Sequence, residues 1–140
     1  MPYVSADLDL TLVMADDRTL RVPSVFEYST ASPYAVTAVF RTADGDVTWV
    51  FGRDLLDDGL LEPAGEGDVT VWPAMLDDHV VVCIALASPS GSALLQVDAS
   101  ALRLFLDRSY AVVPLGDESE HIDIDAELAA LLGDDAAPLR

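Results

Sequence analysis

His79 and Cys83 stand four residues apart in the stretch HVVVCIALA, and Cys83 is the single cysteine of the 140 residues. On a helix the two would share a face and could form a thiolate–imidazole dyad or two ligands of a metal. Three consecutive valines and an isoleucine favour a strand instead. At about 3.3 Å per residue, the two side chains then leave the same face from points roughly 13 Å apart, beyond the reach of a dyad. A zinc site takes four ligands, and His121 is the only other histidine, so carboxylates would have to complete the set. Cys83 therefore reads as a small apolar residue of the core.

The acidic pairs Asp16-Asp17, Asp57-Asp58, Asp77-Asp78 and Asp134-Asp135 could supply a general acid and base or calcium ligands. None has the EF-hand spacing, and all fall where turns or helix ends are expected, so they read as solvated turn residues. A phosphate-binding loop is excluded by the absence of lysine, and no GxGxxG or GxSxG occurs. No cofactor or metal is expected, and no nucleophile–base pair points to an enzyme. Among the aromatic residues, Trp49 shares the apolar face of its segment with Val47 and Phe51 and reads as core. Trp72 falls on the opposite face from Val69 and Val71 and precedes Pro73, which suits a partly exposed contact. Arg53-Asp54 opens a short helix and can act as a local cap or as a partner-facing pair. A basic contact patch, if one exists, would draw on Arg53, Arg103 and Arg108.

The elements that must hold these residues follow from periodicity. ADLDLTLVM alternates, with Leu8, Leu10, Leu12 and Met14 on one face, and pairs across the Asp16-Asp17 turn with LRVPSVFEY, where Pro23 marks an edge or bulge. SPYAVTAVFRT and VTWVF form a second hairpin about Asp44-Gly45. RDLLDDGLL changes to a helical period, with Gly59 as its stop and Pro63 forbidding continuation. GEGDVTVWP, HVVVCIALA and GSALLQV supply strands five to seven, the last two joined by the Ser88–Gly91 turn. From Asp98, a helix cap, the apolar residues Leu102, Phe105 and Leu106 take helical spacing, and IDIDAELAALLG repeats it with Leu128, Leu131 and Leu132. Strands first and helices last predict an α+β fold: about seven antiparallel strands in a barrel-like sheet, a short mid-chain helix and C-terminal helices. One domain covers 1–140, with 134–140 expected to fray.

Twenty-five acidic residues against seven arginines give a formal net charge of -18. Such a surface repels phosphate backbones, so nucleic acid is not an expected partner. With 51% hydrophobic residues the chain can build a core, yet its longest apolar run falls far short of the roughly 20 residues of a membrane span. No basic-then-apolar leader opens it, and the expectation is a soluble cytoplasmic protein without membrane insertion.

Several segments together resemble the SsgA-like sporulation and cell-division proteins of filamentous, spore-forming bacteria. They are SPYAV, VTWVFGRDLL, GEGDVTVWP, VVCIALASPSGSALL, FLDRSYAVVPLG and IDIDAELAALL, which occur in the family's order and cover nearly the whole chain. The resemblance implies a non-catalytic protein with a β-rich core similar to the whirly fold, assembled as a trimer. It also implies a role at the division septum, recruiting or stabilising the tubulin-like protein FtsZ with SsgA as collaborator. Fold analogy alone would suggest a whirly-type single-strand nucleic-acid binder, a reading that the acidic charge opposes.

Overall fold

A computed structural model describes residues 3–121. Seven strands, β1 (Tyr3–Val13), β2 (Thr19–Ser29), β3 (Ala35–Thr42), β4 (Gly45–Gly52), β5 (Val69–Leu76), β6 (His79–Ser88) and β7 (Gly91–Asp98), are joined by α1 (Arg53–Gly59) after β4 and followed by α2 (Ala99–Val112). A short 3₁₀ turn, Glu118–His121, ends the described chain. All neighbouring strands are antiparallel in the order β4-β3-β2-β1-β7-β6-β5. The sheet is curled and open, since β4 and β5 remain as its two edges. The expected α+β architecture and all seven strands are therefore present. The further helix expected over 122–132 lies outside the described residues.

Alternation decides which side chains meet. Leu8 and Leu10 of β1, Val22, Phe26 and Tyr28 of β2, Val36, Ala38 and Phe40 of β3, and Val82, Ile84 and Leu86 of β6 fill one core. Phe26 is its hub, with ring centroids 6.5 Å from Phe40, 6.4 Å from Phe51 and 5.9 Å from Phe105 of α2. The β1–β7 ladder spans only Thr11–Val13 against Leu94–Gln96, so β1 pairs with β7 at one end, and α2 packs against β1. Helix α2 starts on cue because Asp98 Oδ2 accepts the Ala101 N–H at 3.0 Å.

Helix α1 fills the seam between the edge strands, packing on both β4 and β5. Gly59 explains how it comes so close. A Cβ there would overlap Val71 Cγ1 and Cβ, so the residue expected as a helix stop is required by packing against β5. Pro23 sits opposite Asp9 in the β1–β2 ladder, one residue before β2 begins to pair with β3 at Ser24, where its missing N–H is harmless. The β3–β4 loop is Ala43-Asp44, one position before the expected Asp44-Gly45 turn, with Gly45 already paired to Thr42 at φ +118°. Asp77 and Asp78 form a two-residue hairpin loop with φ +50° and +70°, the left-handed pattern that fits the twist of β5 and β6.

Candidate partner-binding surface

Arg53, expected on the surface, is 1% exposed. The physical reason is a set of partners that only the fold assembles. Its Nη2 donates to Glu118 Oε2 at 2.7 Å, and Nη1 donates to the carbonyls of Val113 at 2.8 Å and Ser109 at 3.2 Å. The guanidinium lies between two rings, 4.7 Å from the Tyr28 centroid and 4.3 Å from that of Tyr110. Glu118 Oε1 also accepts the Gly116 N–H at 2.9 Å. The Arg53 hydrogen bond, supported by those of backbone N–H groups, holds the Glu118 carboxyl below the usual carboxylate range. Arg53 is thus an internal clamp that ties the start of α1 to the end of α2 and to the chain beyond it. It does not cap α1, whose N-cap is Gly52, and its side chain is turned inside the fold rather than to the surface.

Asp57, read as half of a solvated pair, also proves structural. It accepts Arg103 Nη2 at 2.6 Å and the Tyr110 hydroxyl at 2.8 Å, linking the far end of α1 to α2. Burial and the bond to Asp57 push the Tyr110 hydroxyl pKa well up, so it remains a donor across the physiological range. Arg103 additionally lies 3.5 Å from Asp107, one helical turn on, and keeps about a third of its side chain in solvent. Asp54 is exposed on the first turn of α1. Burial, followed by the charge of nearby Glu118 and Asp58, raises its carboxyl pKa. Arg108 is exposed on α2 and reaches the Ser5 carbonyl only at 3.5 Å.

Trp72 lies on the other side of the sheet. It is half-buried in β5 opposite Cys83, which in turn faces Gln96 of β7. Cys83 is buried, but it does not join the central core: Val82 and Ile84 point there, while Cys83 lies beneath the outer face beside Trp72. Gln96 Nε2 approaches its sulfur at 3.9 Å, and burial pushes its thiol pKa up, which disfavours the reactive thiolate. His79 is exposed at the start of the same strand, so no dyad forms. No cluster of potential metal ligands occurs among the described residues. Trp49 is half-buried and stacks on Phe51 with centroids 6.5 Å apart. The outer face continues through Leu94 and Val13, paired across β7 and β1, and through Val25 and Val39, paired across β2 and β3; all four are half-buried.

The structure therefore separates the five expected contact residues. Trp72 is on the outer sheet face, Asp54, Arg103 and Arg108 are on the helices, and Arg53 is inside. Glu118, Tyr28 and Tyr110, the partners that bury Arg53, carried no local signal, because they come from three distant segments.

An open, curled seven-stranded antiparallel sheet closed along its seam by α1, with a buried arginine clamp between the helices, defines an α+β half-barrel. The profile of the family described as "Streptomyces sporulation and cell division protein, SsgA" matches residues 22–118. The chain belongs to that family. It is 51% identical over 132 residues to the sporulation-specific cell division protein SsgB of Streptomyces coelicolor, covering 94% of this chain and 96% of that protein. Identity to SsgB of Frankia casuarinae is 48% over 130 residues, 92% and 91% of the two chains. A solved structure from work on SsgB mutations that correlate with longitudinal cell division in Streptomyces coelicolor superimposes with a TM-score of 0.83 at 51% identity, covering 86% of this chain and 96% of that one. The crystal structure of an SsgA-like sporulation-specific cell division protein from Thermobifida fusca gives a TM-score of 0.83 at 39% identity, with coverage of 94% and 96%.

Proposed function

We propose that this protein acts in sporulation-associated cell division as a non-catalytic scaffold that recruits or stabilises FtsZ at septum sites, with an SsgA-type protein as collaborator. The observation that carries this reading is the near-full-length similarity to proteins named SsgB. Its place of action is the cytoplasmic side of the forming septum, and no helix among the described residues is long and apolar enough to cross a membrane. Assembly is as a homotrimer, supported by the apolar outer face through Trp72, Leu94, Val13, Val25 and Val39, which a single copy leaves without a covering layer. Asp54, Trp72, Arg103 and Arg108 are contact positions for the division partners.

The alternative, a whirly-type single-strand nucleic-acid binder, needs free cations along a groove. Arg18, Arg21, Arg53 and Arg103 are each paired with a carboxylate, leaving Arg41 and Arg108 without one among the described residues. That disfavours the alternative. The test is FtsZ localisation in sporulating cells lacking the protein. Loss of regularly spaced rings is expected, and normal rings at normal spacing would overturn the scaffold reading.

A further inference from the structure

The sheet ends in β4 on one side and β5 on the other, and the two edges differ. In β5 the outward main-chain groups are blunted. The Val71 N–H donates to the Ala64 carbonyl at 2.9 Å, the Val71 carbonyl accepts the Ala64 N–H at 2.8 Å, and Pro73, the next outward residue, has no N–H. Nothing similar protects β4. Thr42 and Gly45 close the two-residue loop as a bonded pair, and the Arg53 N–H reaches the Tyr34 carbonyl at 2.8 Å in the same alternation, so Val47, Trp49 and Phe51 bond inward to β3. Asp46, Thr48 and Val50 therefore turn their N–H and C=O groups away from the sheet, and among the described residues no backbone group meets them. Of Gly45–Val50 only Trp49 is not exposed.

The side chains along this edge set the chemistry of what can lie there. Val47, 44% exposed, and half-buried Trp49 share the inner face with buried Phe51, whereas Asp46, Thr48 and Val50, the last 60% exposed, stand on the outer face. An added strand would cover Val47 and Trp49 with apolar residues and set β-branched residues beside Thr48 and Val50. Asp46 calls for a cation: among the described residues it makes no ion pair, even with Arg41, its neighbour across the ladder. We propose that β4 is a docking edge for an extended segment of another protein, which adds as a further antiparallel strand, turns apolar side chains to Val47 and Trp49, and places a lysine or arginine beside Asp46. Charge selects such a segment over a second copy. With β5 blunted, the edge that a second copy can offer is its own β4, and that strand contains no basic residue to set against Asp46. The net charge of -18 acts in the same direction, attracting a cationic segment and repelling another copy. Asp54, Trp72, Arg103 and Arg108 all lie off β4, so this edge is a surface additional to those contact positions.

The experiment uses the isotope-labelled full chain and the capped heptapeptide KVTVTVK, whose valines share one face and whose threonines and lysines share the other. With peptide, solvent exchange of the Thr48 and Val50 amide protons should slow about tenfold once about nine-tenths of the chains are occupied, while the Met75 amide on the opposite edge keeps its rate. In antiparallel docking the peptide's threonine amides point at β4 and its valine amides point away. N-methylation of both threonines should therefore abolish the protection, and N-methylation of two valines should preserve it. Asp46→Asn should weaken the peptide about two- to fivefold, the scale of an exposed ion pair, and leave unchanged the affinity of a version with glutamine in place of both lysines. No protection at millimolar peptide, or any other ranking of the two N-methylated peptides, would overturn the proposal. Slow exchange of Thr48 and Val50 without peptide would overturn it as well, assigning the edge to a second copy if the protection grew with protein concentration and to the chain itself if it did not.

Discussion

Arg53 and Glu118, 65 residues apart in sequence, form a buried ion pair, and its energetics are those of a charge removed from water. The pair is favourable only because carbonyls, two tyrosine rings and a backbone N–H supply further partners to the two groups, with Arg53 Nε alone left buried without a hydrogen bond among the described residues, and removal of one charge leaves the other uncompensated. Glu118→Gln should therefore lose about 3–5 kcal/mol at pH 7 in urea unfolding. The pH dependence has a definite sign. The folded carboxyl titrates below its unfolded value, so its contribution is complete above the ordinary glutamate range and declines as pH falls through the folded value. The gap between wild type and Glu118→Gln should be constant from pH 7 down to about 5 and narrow below about 4.3. A gap that widened on acidification would contradict this assignment. At Cys83, a serine hydroxyl would be buried where only Gln96 is near, and Cys83→Ser should cost about 1–3 kcal/mol without loss of partner binding once folded. A folded variant that failed to bind would return a functional role to the thiol.

At the scale of elements, the short α1 is held by what it touches. Seven residues are too few to be helical alone in water, so its stability comes from the seam between β4 and β5 and from its ties to α2. Gly59 sets the closeness of that fit. Gly59→Ala, which would raise helix propensity on an exposed helix, should here cost about 1–3 kcal/mol because the new methyl displaces Val71. Combining it with Val71→Ala should recover part of the loss by making room. Thermal unfolding of the two single variants and the double variant measures the coupling, and strict additivity would show that the contact is not the cause.

For the whole molecule, a net charge of -18 makes long-range attraction to an acidic partner unfavourable. The association with FtsZ proposed above should therefore rest on apolar and local hydrogen-bonded contacts, and raising salt from about 50 to 200 mM should leave affinity unchanged or stronger. Tight single-stranded DNA binding that falls steeply over the same range would support the nucleic-acid reading instead. The apolar outer face leads to an expectation about assembly: light scattering at micromolar concentration should give three times the monomer mass, and Trp72→Asp should reduce it. A monomer mass for the unaltered protein would reject the trimer.

Patterns of period two and 3.6 were sufficient to locate β1 to β7, α1 and α2, because alternation, turn residues and the Asp98 cap act over a few positions. The same local physics turned His79 and Cys83 from a tempting pair into two points on one strand. Whole-chain charge disfavoured nucleic acid, since summed charge does not depend on where the strands lie. What neighbours each side chain across the fold was decided only by tertiary structure. Arg53 reads as a surface residue beside Asp54 because its partners, Tyr28, Ser109, Tyr110, Val113 and Glu118, are remote in the chain. Asp57 reads as a turn acid until α2 brings Arg103 and Tyr110 against it. Gly59 reads as a stop until β5 places Val71 where a Cβ would go. Cys83 was recognised as buried, but not as lying beneath the outer face with Trp72, because a fully apolar strand has no polar alternation to reveal its inner side.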